Sequence, residues 1–203
     1  MRFSDTERGA LLCIARASVA RSLGVESASG STGAWDDRTP ETLRRRTGAF
    51  VTLRVAGAPR GCVGHPRADA PLADVVARMA VAAACSDPRF PPLTAAELDR
   101  AEFEVSVLGP LTEPAAVERI EVGRHGVVVD DGLHQGLLLP QVAAEQGWDA
   151  PTLLAETCRK ARLPADAWRR GARVRVRVFE TERFSERRGG PQAAVDDPGV
   201  DGR

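Results

Sequence analysis

The chain has 203 residues, with 28 basic side chains balanced by 28 acidic ones and a hydrophobic content of 43%. That length supports one domain, or one domain with a small subdomain, and a sizeable core, while the charge balance argues against a general nucleic-acid coat or a polybasic membrane binder. No apolar run approaches the roughly 20 residues that cross a bilayer, and Arg16 interrupts the Leu11–Ile14 patch where a secretory signal would continue, so a soluble, cytoplasmic protein without membrane contact is expected.

Ser4 and Glu7 have the spacing of a capping box, and Leu11, Leu12, Ala15, Val19 and Leu23 recur at helical period, which predicts a helix over 5–23 ended by Gly24. Residues 24–39 are rich in Gly, Ser and Asp and read as an exposed loop. Gly48 to Val55 reads as a strand with Phe50, Thr52 and Arg54 on one face, followed by a turn at 56–59 and an extended segment from Gly61 to His65. Asp69 and Pro71 open a second helix, with Leu72, Val75, Val76, Met79 and Ala83 on its buried stripe, which stops at Asp87-Pro88. After a proline-rich corner, Thr94 and Glu97 repeat the capping spacing for one helical turn. Phe103, Val105 and Val107 then alternate with Glu102, Glu104 and Ser106 as a half-buried strand with a polar outer face.

Three short strands are predicted at 120–122, 126–129 and 136–139. Pro140 opens a helix to Gln146, and Asp149 caps another over 150–162. A last strand, 172–180, carries Val174, Val176 and Val178 inward and Arg173, Arg175 and Arg177 outward as a solvated edge. The pattern predicts an α+β fold with a mainly antiparallel sheet flanked by helices. It also predicts a single domain over 1–186 and a disordered tail over 187–203. No Gly-x-Gly-x-x-Gly or Walker-type loop follows a strand, and no cofactor is expected.

The cysteines at 13, 62, 85 and 158 form no Cys-x-x-Cys pair, so reduced thiols are expected. Of the 28 basic residues only Lys160 is a lysine, and the absence of Tyr removes it from every catalytic scheme. The most unusual stretch is Pro59-Arg60-Gly61-Cys62-Val63-Gly64, where flanking glycines let backbone N–H groups converge beside a thiol. Arg60 would stabilise a Cys62 thiolate, and His65 would serve as base if the turn folds back. The alternative is a small buried cysteine whose glycines only permit close backbone approach. Cys62 and His65 are a single close pair, with His125, His134, Cys85 and Cys158 as remote further ligands; structural metal sites usually show two close pairs, so no metal is expected.

The same stretch resembles the Leu-Arg-Gly-Cys-Ile-Gly signature of the AMMECR-domain family, named after the AMME-syndrome chromosomal region. Similar segments follow in the family's order: Gly48–Leu53 before it, then Asp87–Leu93, Glu104–Leu108, Gly123–Gly126, Gly136–Ala143, Trp148-Asp149 and Cys158–Pro164. They span roughly residues 5–185; Pro59 replaces the usual Leu and Val63 the usual Ile. The resemblance implies an α+β fold with a larger and a smaller subdomain. Its prokaryotic branch is similar to protein A of the AmmeMemoRadiSam system, which implies a Memo-like protein and a radical S-adenosylmethionine protein as partners.

Cys62 is thus the candidate nucleophile or carrier thiol, with His65 as a weaker catalytic candidate. Arg60, Gly61, Gly64, Arg89, Glu104 and Gln141 are the candidate binding residues. Arg60 and Arg89 each offer a planar fork for a carboxylate or phosphate, against which Arg89 pinning the proline-rich corner weighs equally. Glu104 reads either as groove lining or as a solvated face, and Gln141 either as a ligand contact or as a helix cap. Trp148 and Trp168 read as core or subdomain-interface residues. Two further functions stand beside thiol chemistry: a non-catalytic binding or adaptor module, and a weaker nucleic-acid association through the arginine-rich strand, which lacks interleaved aromatics.

Overall fold

The computed structural model describes residues 2–25, 40–113, 116–169 and 173–186. Most of the predicted 24–39 loop and the predicted tail lie outside the described residues. Helix α1 spans Asp5–Ser22 and starts as predicted: Ser4 N–H donates to Glu7 Oε2 at 2.8 Å while Glu7 N–H donates to Ser4 Oγ at 3.3 Å. Leu11, Ala15, Val19 and Ala20 form its buried stripe, and Gly24 leaves the helix at φ +69°. A single turn, α2 (Glu41–Arg44), follows where no helix was predicted.

Strands β1 (Ala49–Val55) and β2 (Ala58–His65) form a hairpin that turns through Ala56 and Gly57. Its register slips so that Leu53 faces Gly61 while Arg54 faces Pro59, which leaves Arg60 as a bulge residue. Helix α3 (Leu72–Cys85), the turn α4 (Ala95–Leu98) and strand β3 (Ala101–Leu108) come next. They are followed by β4 (Gly126–Asp130), β5 (Gln135–Leu138), α5 (Pro140–Gln146), α6 (Ala150–Lys160), β6 (Arg175–Phe179) and β7 (Thr181–Ser185).

The strands make two sheets, β2-β1-β3-β7 and β5-β4-β6, and every pairing in them is antiparallel. The fold is therefore α+β, as predicted. Alternation sends Val51, Leu53, Phe103 and Val105 to one face of the larger sheet, where α1 and α3 bury them. The smaller sheet buries Val127, Val129 and Val178 against Leu153, Leu154 and Cys158 of α6. A third cluster, Leu108, Val128, Leu137, Leu139 and Phe179, joins the two sheets, with Phe50 of β1 packed against it. Trp148 and Trp168 pack at the margin of the second core.

Several local expectations are corrected. Residues 120–122 are not a strand: a 3-10 turn at Val117–Arg119 precedes them, and the Glu121 carbonyl accepts the N–H groups of Arg124 and His125, closing a turn around Gly123. Three alternating residues have too little length to outcompete those local bonds. Helix α6 ends at Lys160, because Arg162 adopts φ +60°. The predicted last strand, 172–180, is β6 over 175–179, and a strand that was not predicted follows it: the chain leaves β6, passes Glu180, whose carbonyl accepts Gly109 N–H at 2.8 Å, and joins β3 of the other sheet as β7. Ser106, assigned to a solvated face, is buried beside its register partner Phe50, which packs against the cluster joining the two sheets. The β6 arginines are not a simply solvated row either, because Arg175 and Arg177 both donate to Asp130 on the neighbouring strand.

Candidate functional site

Strand β2 is an edge strand, so at Cys62 one N–H and one C=O point away from β1 with no strand to receive them. Asp87 and Arg89 take that place. Asp87 Oδ2 accepts Cys62 N–H at 2.8 Å, and Arg89 Nη2 donates to Cys62 O at 3.0 Å. The two side chains also hold each other, with Asp87 accepting from Arg89 Nε at 2.9 Å and from Nη2 at 2.6 Å. The pair thus imitates a missing strand over one residue. Asp87 is buried, and the Arg89 guanidinium holds its carboxyl far below the usual carboxylate range.

Clamped in this way, the half-buried Cys62 side chain lies on the face opposite α3, where Thr52 Oγ1 donates to Sγ at 3.3 Å. Register pairs Thr52 with both Cys62 and Glu104, so the three side chains form one row across β2, β1 and β3. From α6 of the other sheet's layer, Lys160 comes within electrostatic reach of both Cys62 and Arg89. Part of Lys160 stays open to solvent, yet the protein around its ammonium lowers its pKa, an effect the Cys62 charge opposes and the Arg89 charge adds to.

The other predicted residues divide clearly. Arg60 does not stand free beside the thiol. Its Nε and Nη2 donate to Glu97 at 2.9 and 3.0 Å, and its remaining donors go to the carbonyls of Pro91 and Pro92. The Arg60 guanidinium in turn holds the Glu97 carboxyl at about 2. His65 lies three residues from Cys62 on a regular strand and so projects from the opposite face. Its Nε2 is 2.7 Å from Asp69 Oδ1. Gly61 faces α3, where a Cβ would collide with the carbonyl of Ala83, and Gly64 makes room for the Phe50 ring. Arg89 braces the corner, the structural one of its two readings: its donors go to the Asp87 carboxylate and to the Cys62 carbonyl. Glu104 borders a separate cavity of about 460 Å³ together with Arg183. Gln141 stands half-buried at the start of α5, with no side-chain hydrogen bond among the described residues. Among the described residues no three His, Cys, Asp or Glu side chains come together as a metal site, and no helix is long and apolar enough to cross a membrane.

A model of the AMMECR1 family matches residues 12–184. The chain belongs to the AMMECR1 family. Similar relatives include a protein of Thermofilum pendens, 43% identical over 167 residues that cover 73% of this chain and 76% of that protein. Another, from Methanothermobacter thermautotrophicus, is 46% identical over 157 residues, 74% of this chain and 81% of its own. The crystal structure of the uncharacterized protein PH0010 from Pyrococcus horikoshii superposes with a TM-score of 0.80 at 37% identity, covering 92% of this chain and 94% of that one.

In AMMECR1-family terms, the signature segment is the edge strand β2, and the Asp87–Leu93 segment is the corner that clamps it. Sequence reasoning missed Thr52, Asp87 and Lys160 as neighbours of Cys62. The signal for Lys160 was present, since it is the single lysine in an otherwise arginine-only basic set. Nothing in the sequence placed it opposite the signature.

Proposed function

We propose that the Cys62 face is the working site of this AMMECR1-family protein and that Cys62 acts there as a nucleophilic or carrier thiol. The observation that carries the reading is the convergence on one residue of a backbone clamp from Asp87 and Arg89, a hydroxyl donor from Thr52 and a cationic neighbour, Lys160. A rigid backbone fixes where the sulfur points, and the ammonium offsets the charge of the thiolate. As part of the same reading, family membership supports a place in a modification pathway beside a Memo-like protein and a radical S-adenosylmethionine protein.

Alkylation by iodoacetamide as a function of pH, followed at each cysteine by mass spectrometry of the native chain, tests the proposal. Cys13 is exposed and serves as the accessible reference, whereas Cys158 is buried, its thiol pushed up by that burial, and serves as the inert control. Cys62 is expected to react faster than Cys13 near pH 7, and Lys160→Met to slow it by about threefold. Reaction as slow as that of Cys158 would remove thiol chemistry from the site.

A second reading, a non-catalytic binding or adaptor module, is favoured by the use of Arg60 and Asp87 for structural contacts rather than for a free ligand. Cys62→Ser separates the two, because an adaptor tolerates this near-isosteric change and a thiol enzyme or carrier does not.

A further inference from the structure

A cavity of about 730 Å³ lies away from Cys62 and does not include it. It opens where the start of β1 and the ends of β2 and β3 meet the three-stranded sheet. Four arginines line it, Arg45, Arg46, Arg67 and Arg177, against a single carboxylate, Asp130. That carboxylate is already committed: Asp130 accepts the Gly132 N–H at 2.7 Å, Arg175 Nη2 at 3.2 Å and Arg177 Nη2 at 3.0 Å.

The arginines, by contrast, keep donors in reserve. Arg67 makes no hydrogen bond or ion pair among the described residues. The Arg46 side chain spends one donor on the Asp69 carbonyl at 2.6 Å. Arg177 Nε is buried with no hydrogen-bond partner, so this guanidinium is only partly satisfied by Asp130. Like charges lining one cavity repel one another, and an unpaired buried donor costs free energy. Both costs are offset by an anion with several acceptor oxygens. The rest of the wall is mixed: Leu108, Leu111 and Val128 lie at the junction and Leu133, 89% exposed, at the rim, while Thr47, His134 and Gln135 add polar groups.

We propose that this cavity is a binding site for a small organic phosphate, its phosphate held by Arg67, Arg177 and their neighbours and its less polar body laid against the leucines. The volume falls in the usual range of small-molecule pockets. The arginines converge in a concavity rather than run along an open track, which favours a small ligand over a nucleic-acid strand. The proposal does not rest on the Cys62 reading.

Isothermal titration calorimetry on the full chain tests it, with inorganic pyrophosphate and adenosine 5′-monophosphate as probes and adenosine, citrate and a short single-stranded oligonucleotide as comparisons. Saturable binding of either phosphate probe is expected, with adenosine inactive and Cys62→Ser without effect. Arg67→Gln and Arg177→Gln should each weaken binding by about tenfold. Arg177→Gln disturbs the contact with Asp130, but Arg67 has no bond to lose, so Arg67→Gln leaves thermal unfolding unchanged and reads binding alone. Failure of both phosphate probes, or indifference to Arg67→Gln, would overturn the proposal. So would citrate binding as tightly as the phosphates, or binding of the oligonucleotide alone.

Discussion

Asp87→Ala is the most informative single change to the clamp around Cys62. The Asp87 side chain is 3% exposed and the Arg89 side chain 61%. Removing the carboxylate strands the Cys62 N–H, whose only described acceptor lies at 2.8 Å, and an unsatisfied buried donor costs about 1–3 kcal/mol. The Arg89 guanidinium loses its partner too, but it is exposed enough to return to water, so that half of the pair adds about 0.5–1 kcal/mol rather than the full cost of a buried ion pair. The expected loss is therefore about 1.5–4 kcal/mol for Asp87→Ala and about half of that for Asp87→Asn, which retains an acceptor for Cys62. Urea unfolding of the variants measures the loss, and hydrogen exchange at the Cys62 amide locates it. Exchange there should accelerate more than at Val51, inside the same sheet. A loss below about 0.5 kcal/mol with unchanged exchange at Cys62 would refute the view that this pair stands in for a strand.

Two further outcomes follow from the packing and charge around β2. Gly61→Ala forces a methyl group onto the backbone carbonyl of Ala83, which cannot swing aside as a side chain can, and is expected to destabilise the fold by about 3 kcal/mol by thermal or urea unfolding. Gly57→Ala, in open space at φ +78°, is the control and should cost about 1 kcal/mol. Glu97, ordinarily near 4.5, is held at about 2 by Arg60, so the unfolded chain takes up its proton first as pH falls. Stability should thus decline from about pH 4.5 towards pH 2, and Glu97→Gln should flatten that part of the stability-against-pH curve.

Much of the architecture was legible because it is carried by local chemistry. The Ser4–Glu7 box, Pro140 at the first turn of α5 and Asp149 before α6 mark helix starts through backbone donors that need partners nearby in sequence. Alternation in 103–107 marked β3, because burying one face of a sheet imposes period two, while the unbroken Val127–Val129 run marked β4 as a strand buried on both faces. Where the sequence was read wrongly, long-range contact decided. Residues 181–185 have weak strand character of their own, and they extend because β3 offers an unpaired edge from Leu108 to Glu104. Phe3 N–H, donating to Glu182 at 2.9 Å, further ties that strand to the start of the chain.

By itself the sequence determined the fold class, the starts of α1, α5 and α6, the hairpin that presents Cys62 and membership of the family, since each rests on periodicity, capping or a contiguous motif. Only the tertiary structure decided what surrounds the thiol. It turned Arg60 away to Glu97, put His65 on the far face, brought Asp87 and Thr52 into contact with Cys62, and left Lys160 within electrostatic reach of it. It also gathered Arg45, Arg67 and Arg177 from distant segments around one cavity. Side chains far apart along a chain meet only through the packing of sheet on sheet and helix on sheet. That packing depends on the sum of many weak apolar contacts, and no short motif encodes it.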